Sequence, residues 1–150
     1  MDDDTTTIKT YILRSERDWD LWYAYMYGFA RSRRIWDLVN PEIEGEPAFL
    51  TKPPRPTRPP PDADVILKEE YMMDLAEREV AMYKFDREQQ ALSEFRDRLV
   101  FSVQHYIMNR LAREEHCHVI FKALKERLCP TELDRRREVR KRWKALTNGP

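Results

Sequence analysis

The chain has 150 residues, enough for one domain with a single sizeable core. Its 36% charged content and three glycines suit helices better than turn-rich sheets, and the formal net charge is zero. No apolar run approaches the roughly 18 residues needed to span a bilayer, and Asp2, Asp3 and Asp4 are the opposite of a cationic signal-peptide start, so the expected setting is the cytoplasm without membrane contact.

Residues 1–14 read as an acidic leader and 15–147 as one helical domain. Ser15, with Asp18 three residues on, has the spacing of a capping box. Trp19, Trp22, Met26, Phe29, Ala30 and Trp36 recur at steps of three, four and seven, which predicts one helical face or two short abutting helices. Tyr23, Tyr25 and Tyr27 point partly away from that stripe. Amphipathic rings are favoured at interfaces, which makes these three the candidate self-association residues. Pro41 disfavours helix at Asn40 and opens a Pro-rich linker over 41–61. Within it, Pro53 to Pro61 removes six backbone donors and holds the chain extended, as a spacer or an arm lying over helices; Pro53-Pro54-Arg55-Pro56 also has the form of a polyproline ligand for an aromatic groove.

Asp62 or Asp64 can cap the next helix, and no glycine or proline interrupts residues 62–129. An unbroken helix over 65–111 would be about 70 Å long, against a radius of gyration near 15 Å for a compact domain of this size. The apolar phase shifts between Ile66, Met73, Ala76, Val80, Tyr83 and Leu92, Phe95, Leu99, Val103, Tyr106, with the transition at Lys84 to Gln90. A break there would give a hairpin, and a continuous rod would show its two stripes to different neighbours. The preferred reading is a long helix with a kink or shift. Ile120, Leu124 and Leu128 then form a seam ending before Pro130, and Thr131 with Asp134 starts a last helix whose expected buried stripe is Leu133, Val139, Trp143 and Leu146. The fold class is all-α, with five to six helices. Trp22, Trp36, Leu99, Leu124 and Trp143 are the expected buried anchors.

The order of the early parts resembles the N-terminal part of the capsid region of Gag from copia-type (Pseudoviridae) LTR retrotransposons, especially fungal members. The matching residues are Trp22, Met26, Ala30 and the closing Ile35-Trp36-Asp37 before a proline-bounded linker. Downstream, ALSEFRDRLVFSVQHYI (91–107) and LKERLCPTELDRRREV (124–139) are similar to the family's later helices, where a leucine-rich helix ends at a Pro-Thr that starts the next. The likeness runs from Leu13 to Leu146. It implies a structural domain that self-associates into a virus-like particle shell enclosing the element's RNA, or a domesticated derivative of one. The alternative is a monomeric helical adaptor that binds RNA or a protein through its basic last helix.

Sites for chemistry are scarce. His116, Cys117 and His118 are adjacent, so on a helix they point 100° apart and do not converge on a metal; they read as surface and packing residues. Cys117 and Cys129, the only cysteines, would sit about 18 Å apart along one helix, beyond disulfide reach. His105 lacks a partnered nucleophile, and no phosphate-cradling glycine loop exists. Carboxylates that alternate with Arg and Lys at helical spacing read as a solvated face. The chain is therefore expected to be no enzyme and to use no cofactor, metal or small-molecule substrate. Charge is unevenly placed: residues 131–150 hold seven Lys/Arg against three Asp/Glu. Arg136, Arg137, Arg140, Lys141 and Lys144 form a cationic stripe, expected opposite Val139 and Trp143, that serves either helix stability or contact with RNA phosphates or an acidic patch on another subunit.

Overall fold

The computed structural model describes residues 11–45 and 49–147, so most of the acidic leader, residues 1–10, lies outside them. Six α-helices follow one another: α1 (Trp19–Ser32), α2 (Trp36–Val39), α3 (Val65–Ser102), α4 (His105–Met108), α5 (Cys117–Leu128) and α6 (Glu132–Thr147). The fold is all-α, and among the described residues the one β feature is an isolated bridge between Leu13 and Val103. No described helix is long and apolar enough to cross a membrane.

A 3₁₀ turn, Glu16–Asp18, leads into α1, with the Ser15 side chain accepting a hydrogen bond from the Arg17 N–H. The helix buries Trp19, Trp22, Met26 and Ala30, the stripe expected from the spacing. It ends before Trp36 because the Ile35 N–H reaches back to the Ala30 carbonyl and the Arg34 N–H to that of Arg31, a Schellman closure. Arg34 carries the left-handed conformation this closure requires, at φ 58°, where glycine is usual. The tryptophan-rich segment is thus two abutting helices. Asn40 stops α2, and its side chain then accepts the Glu42 N–H at 2.9 Å.

Asp64 caps α3 through the Leu67 N–H, at 2.9 Å. The helix runs 38 residues, about 56 Å, unbroken through Lys84–Gln90. Of the kink or shift expected at that point, the structure has the shift: the apolar stripe changes neighbours while the backbone continues. The interruption falls instead at Val103–Gln104, where the chain is extended. Leu13 causes it: its N–H donates to Ser102 at 2.7 Å, its carbonyl accepts from the Gln104 N–H at 2.9 Å, and its side chain is fully buried. Leu13, assigned to the leader from sequence, is therefore part of the packed domain.

The core lies among α1, α2, α5 and the second half of α3. Phe121 is its hub, with ring centroids 5.6 Å from Trp22, 5.7 Å from Phe95, 5.5 Å from Tyr23 and 6.2 Å from Trp36. Trp22 meets its one polar need by donating from Nε1 to Ser102 Oγ at 2.8 Å, in full burial. Arg33 pairs with Glu94, and Trp22 with Ser102, so α1 and α3 run antiparallel. Leu99 and Leu124 are buried as expected, and Trp36 is half-buried.

From Phe49 onward the linker runs back along the first half of α3. Pro53, Pro56 and Pro59 are each half-buried while their neighbours face solvent. That three-residue recurrence is the period of a polyproline helix. Pro56 lies beside Tyr71, Leu75 and Arg78, and Leu50 shares a recess with Phe85 and Gln89. The lengths agree, since ten extended steps at about 3.1 Å match twenty helical steps at about 1.5 Å.

Candidate functional site

Two surfaces and one recess hold the residues with functional potential. The first surface is the half of α3 beyond the core, residues 65–83. One side of it rests against the proline segment through Tyr71, Leu75 and Arg78. The opposite side presents Ile66, Met73, Val80 and Tyr83, which are 64 to 77% exposed. Glu69, Glu70 and Glu77 lie among them at helical spacing and make no ion pair within 4.0 Å among the described residues. At the base of this stretch the next cations are occupied, with Lys84 and Arg87 both flanking the buried Glu88.

The second surface is α6. The capping box expected from sequence forms: Asp134 accepts from Thr131 Oγ1 at 2.8 Å, and the Asp134 N–H donates back at 3.1 Å. The expected buried stripe does not form. Leu133, Val139, Trp143 and Leu146 are 58 to 79% exposed, and α6 buries no residue. The reason is that Phe121, Trp22 and Phe95 already fill the interior, while ten of the sixteen α6 residues are charged and would have to shed water for the helix to lie down on it. A bidentate pair from Arg135 to Asp20, at 2.9 and 3.4 Å, ties its first turn to α1.

The candidate cations Arg136, Arg137, Arg140, Lys141 and Lys144 are all exposed. Arg136 is paired with Glu132 and Arg142 with Glu138. Arg137, Arg140, Lys141 and Lys144 have no carboxylate within 4.0 Å among the described residues. Val139 shares a shallow depression with Arg135, Arg136 and Arg140, so the cations flank the apolar stripe where sequence placed them opposite it.

The three tyrosines separate. Tyr23 is half-buried against Trp19, Trp36 and Phe121, and burial, with the nearby Glu42 carboxylate, pushes its phenol up to about 12. Tyr25 is held by a hydrogen bond from Arg98, whose guanidinium also lies 4.1 Å over Phe29. Tyr27 is 40% exposed and stands edge-on to Trp36 at 4.6 Å. Of the set, Tyr27 alone offers an exposed ring.

The recess, about 380 Å³, lies between α3, the start of α5 and the chain around Leu50. His118 on its wall is 4% exposed, and neither ring nitrogen reaches a hydrogen-bond partner among the described residues. It is a packing residue, as expected, but a costly one, because a buried imidazole with two unpartnered nitrogens loses its hydrogen bonds to water. Burial pushes its pKa below the ordinary 6.5, Lys122 adds to the shift, and the Asn40 backbone opposes it without reaching bonding geometry. Cys117 donates to the Leu92 carbonyl, and burial lifts its thiol to about 11, so it is a protonated packing group at neutral pH. The His116 ring packs against Phe49 in a tilted pair, with centroids 4.2 Å apart. Among the described residues no three His, Cys, Asp or Glu side chains are grouped to hold a metal ion. The buried state of His118 had no signal in the sequence beyond its phase on α5.

No protein-family model, no curated protein and no solved structure matches this chain.

Proposed function

We propose that this chain is a capsid-type helical module that self-associates into a particle shell, as its resemblance to copia-type Gag implies, and that it works in the cytoplasm without catalysis. The observation that supports this most is the apolar surface on two projecting elements. Val80 and Tyr83 on α3, and Trp143 and Leu146 on α6, are each at least 67% exposed. Large apolar side chains aligned on one exposed helix face mark an interaction site. Shell subunits use several modest contacts whose strength multiplies in the closed assembly. The isolated domain is therefore monomeric or weakly associated when dilute, and the full-length gene product forms particles. Electron microscopy and light scattering of that product test the reading, and a strictly monomeric product at high concentration refutes it.

The rival adaptor reading draws on the exposed, unpaired Arg137, Arg140, Lys141 and Lys144. It predicts RNA binding that weakens uniformly, with a flatter salt dependence, when Arg136, Arg140 and Lys144 become Gln, and it predicts no particles.

A further inference from the structure

The two projecting surfaces sit at opposite ends of the molecule. Because α1 runs antiparallel to α3, with Trp22 at Ser102 and Arg33 at Glu94, the first turn of α1 lies at the C-terminal end of α3. Arg135 anchors α6 to that turn through Asp20. The exposed half of α3 is at the other pole, beyond Glu88. One chain therefore cannot bring its own α6 onto its own α3 outer face: the separation from Tyr83 to Ser102 alone is about 29 Å of helix.

The two faces match in three respects. In charge, the outer face of α3 carries Glu69, Glu70 and Glu77, and α6 carries seven cations against three carboxylates. In spacing, Ile66, Met73 and Val80 recur every seven residues, with Ala76 and Tyr83 three after the last two, while Val139, Trp143 and Leu146 follow at four and three. Both are the seam pattern by which helices pack side by side. In length, residues 65–83 span about 27 Å and α6 about 22 Å, so one helix can lie along the other.

We propose that α6 of one copy docks lengthwise on the outer face of residues 65–83 of the next copy, a heterologous head-to-tail contact that propagates. It rests on the self-association reading and names the surfaces and the polarity of that association. Such a contact closes into rings when its rotation allows and extends into open arrays when it does not. Its charged flanks make it stronger at low salt.

Charge reversal tests it. One variant of the chain carries Arg136→Glu, Arg140→Glu and Lys144→Glu, and a second carries Glu69→Lys, Glu70→Lys and Glu77→Lys. Sedimentation velocity at high protein concentration and low salt reads the sizes, and circular dichroism confirms that helicity is kept. Wild type is expected to show a concentration-dependent ladder beyond the dimer that high salt dissolves. Each variant alone loses the ladder. Mixed one to one, the two variants restore the ladder as an alternating chain, because the native α6 of one meets the native α3 face of the other and the reversed α6 meets the reversed face. All six substitutions in one chain restore the ladder. If a reversed chain loses helicity, Gln at the same positions replaces it, with the same loss of the ladder expected. A ladder that survives in both variants overturns the proposed surfaces and leaves self-association standing. Wild type that stays monomeric in every condition overturns both. An intact ladder combined with lost binding of polyuridylate in the first variant assigns α6 to RNA and overturns the docking.

Discussion

Trp22 and Trp143 lie on helices of similar length, yet the first is fully buried and the second 67% exposed. The difference lies in their neighbours. The buried stripe of α1 alternates with short or uncharged residues, and the far end of α3 supplies a hydroxyl for the Trp22 indole. On α6 the apolar stripe is bordered by arginines on both sides, so laying it on this core would desolvate cations that have no buried partner. Helical periodicity alone marks both faces as apolar; the flanking charge decides which one the chain buries in itself.

Three changes probe that contrast, the largest first. Trp22→Ala removes the indole from the Phe121 hub and leaves Ser102 Oγ unpartnered, and is expected to cost about 3–5 kcal/mol in urea denaturation. A loss below about 1 kcal/mol would show that the hub repacks and that the body is less specific than its ring geometry implies.

His118 is the next largest. It belongs to the packed body but lacks the polar partner that Trp22 has. With its folded pKa below 6.5, the unfolded chain binds the proton more readily, so stability is full above about 6.5 and falls as the pH drops below it. The loss is at most about 1.4 kcal/mol per pH unit for this one group. Denaturation of His118→Leu at pH 7 and pH 5 should show a flatter acid slope than wild type. An unchanged slope would assign the acid sensitivity to other groups.

Trp143→Ala is the smallest and sharpest. If α6 makes no apolar contact with its own body, the dilute monomer loses less than about 0.5 kcal/mol. The same change should weaken association at high concentration, since the ring sits at the centre of the proposed seam. A loss of several kcal/mol in the dilute monomer would mean that α6 packs on its own core after all.

Much of the body was legible in the sequence. The α1 stripe, the stop at Asn40, the Asp64 and Thr131–Asp134 caps, and the seam of Ile120, Leu124 and Leu128 all follow from local spacing and capping chemistry, and the structure has them. The end of α3 was not legible. Ser102 and Val103 carry no glycine or proline signal, and the helix stops there because Leu13, some ninety residues earlier, captures the backbone on both sides of the break. The Arg34 turn is similar: a non-glycine residue in left-handed conformation is set by the closure around it and leaves no local mark. For the candidate surfaces, the cations of α6 and the early stripe of α3 were visible as residues. Their exposure, and their position at opposite poles, depended on how the core was filled.

The Phe121 hub also sets a timetable for synthesis. Trp19, Trp22 and Met26 leave the ribosome early, but the ring they pack around is made about a hundred residues later, and Ser102 and Val103 only shortly before it. At roughly 5–20 residues per second, the tryptophans wait on the order of 5–20 s without their partner. During that interval the nascent chain displays an aromatic stripe with nothing to cover it. Translation pauses placed after α1 would lengthen this vulnerable period, whereas pauses placed after α5 would let the body close before α6 emerges.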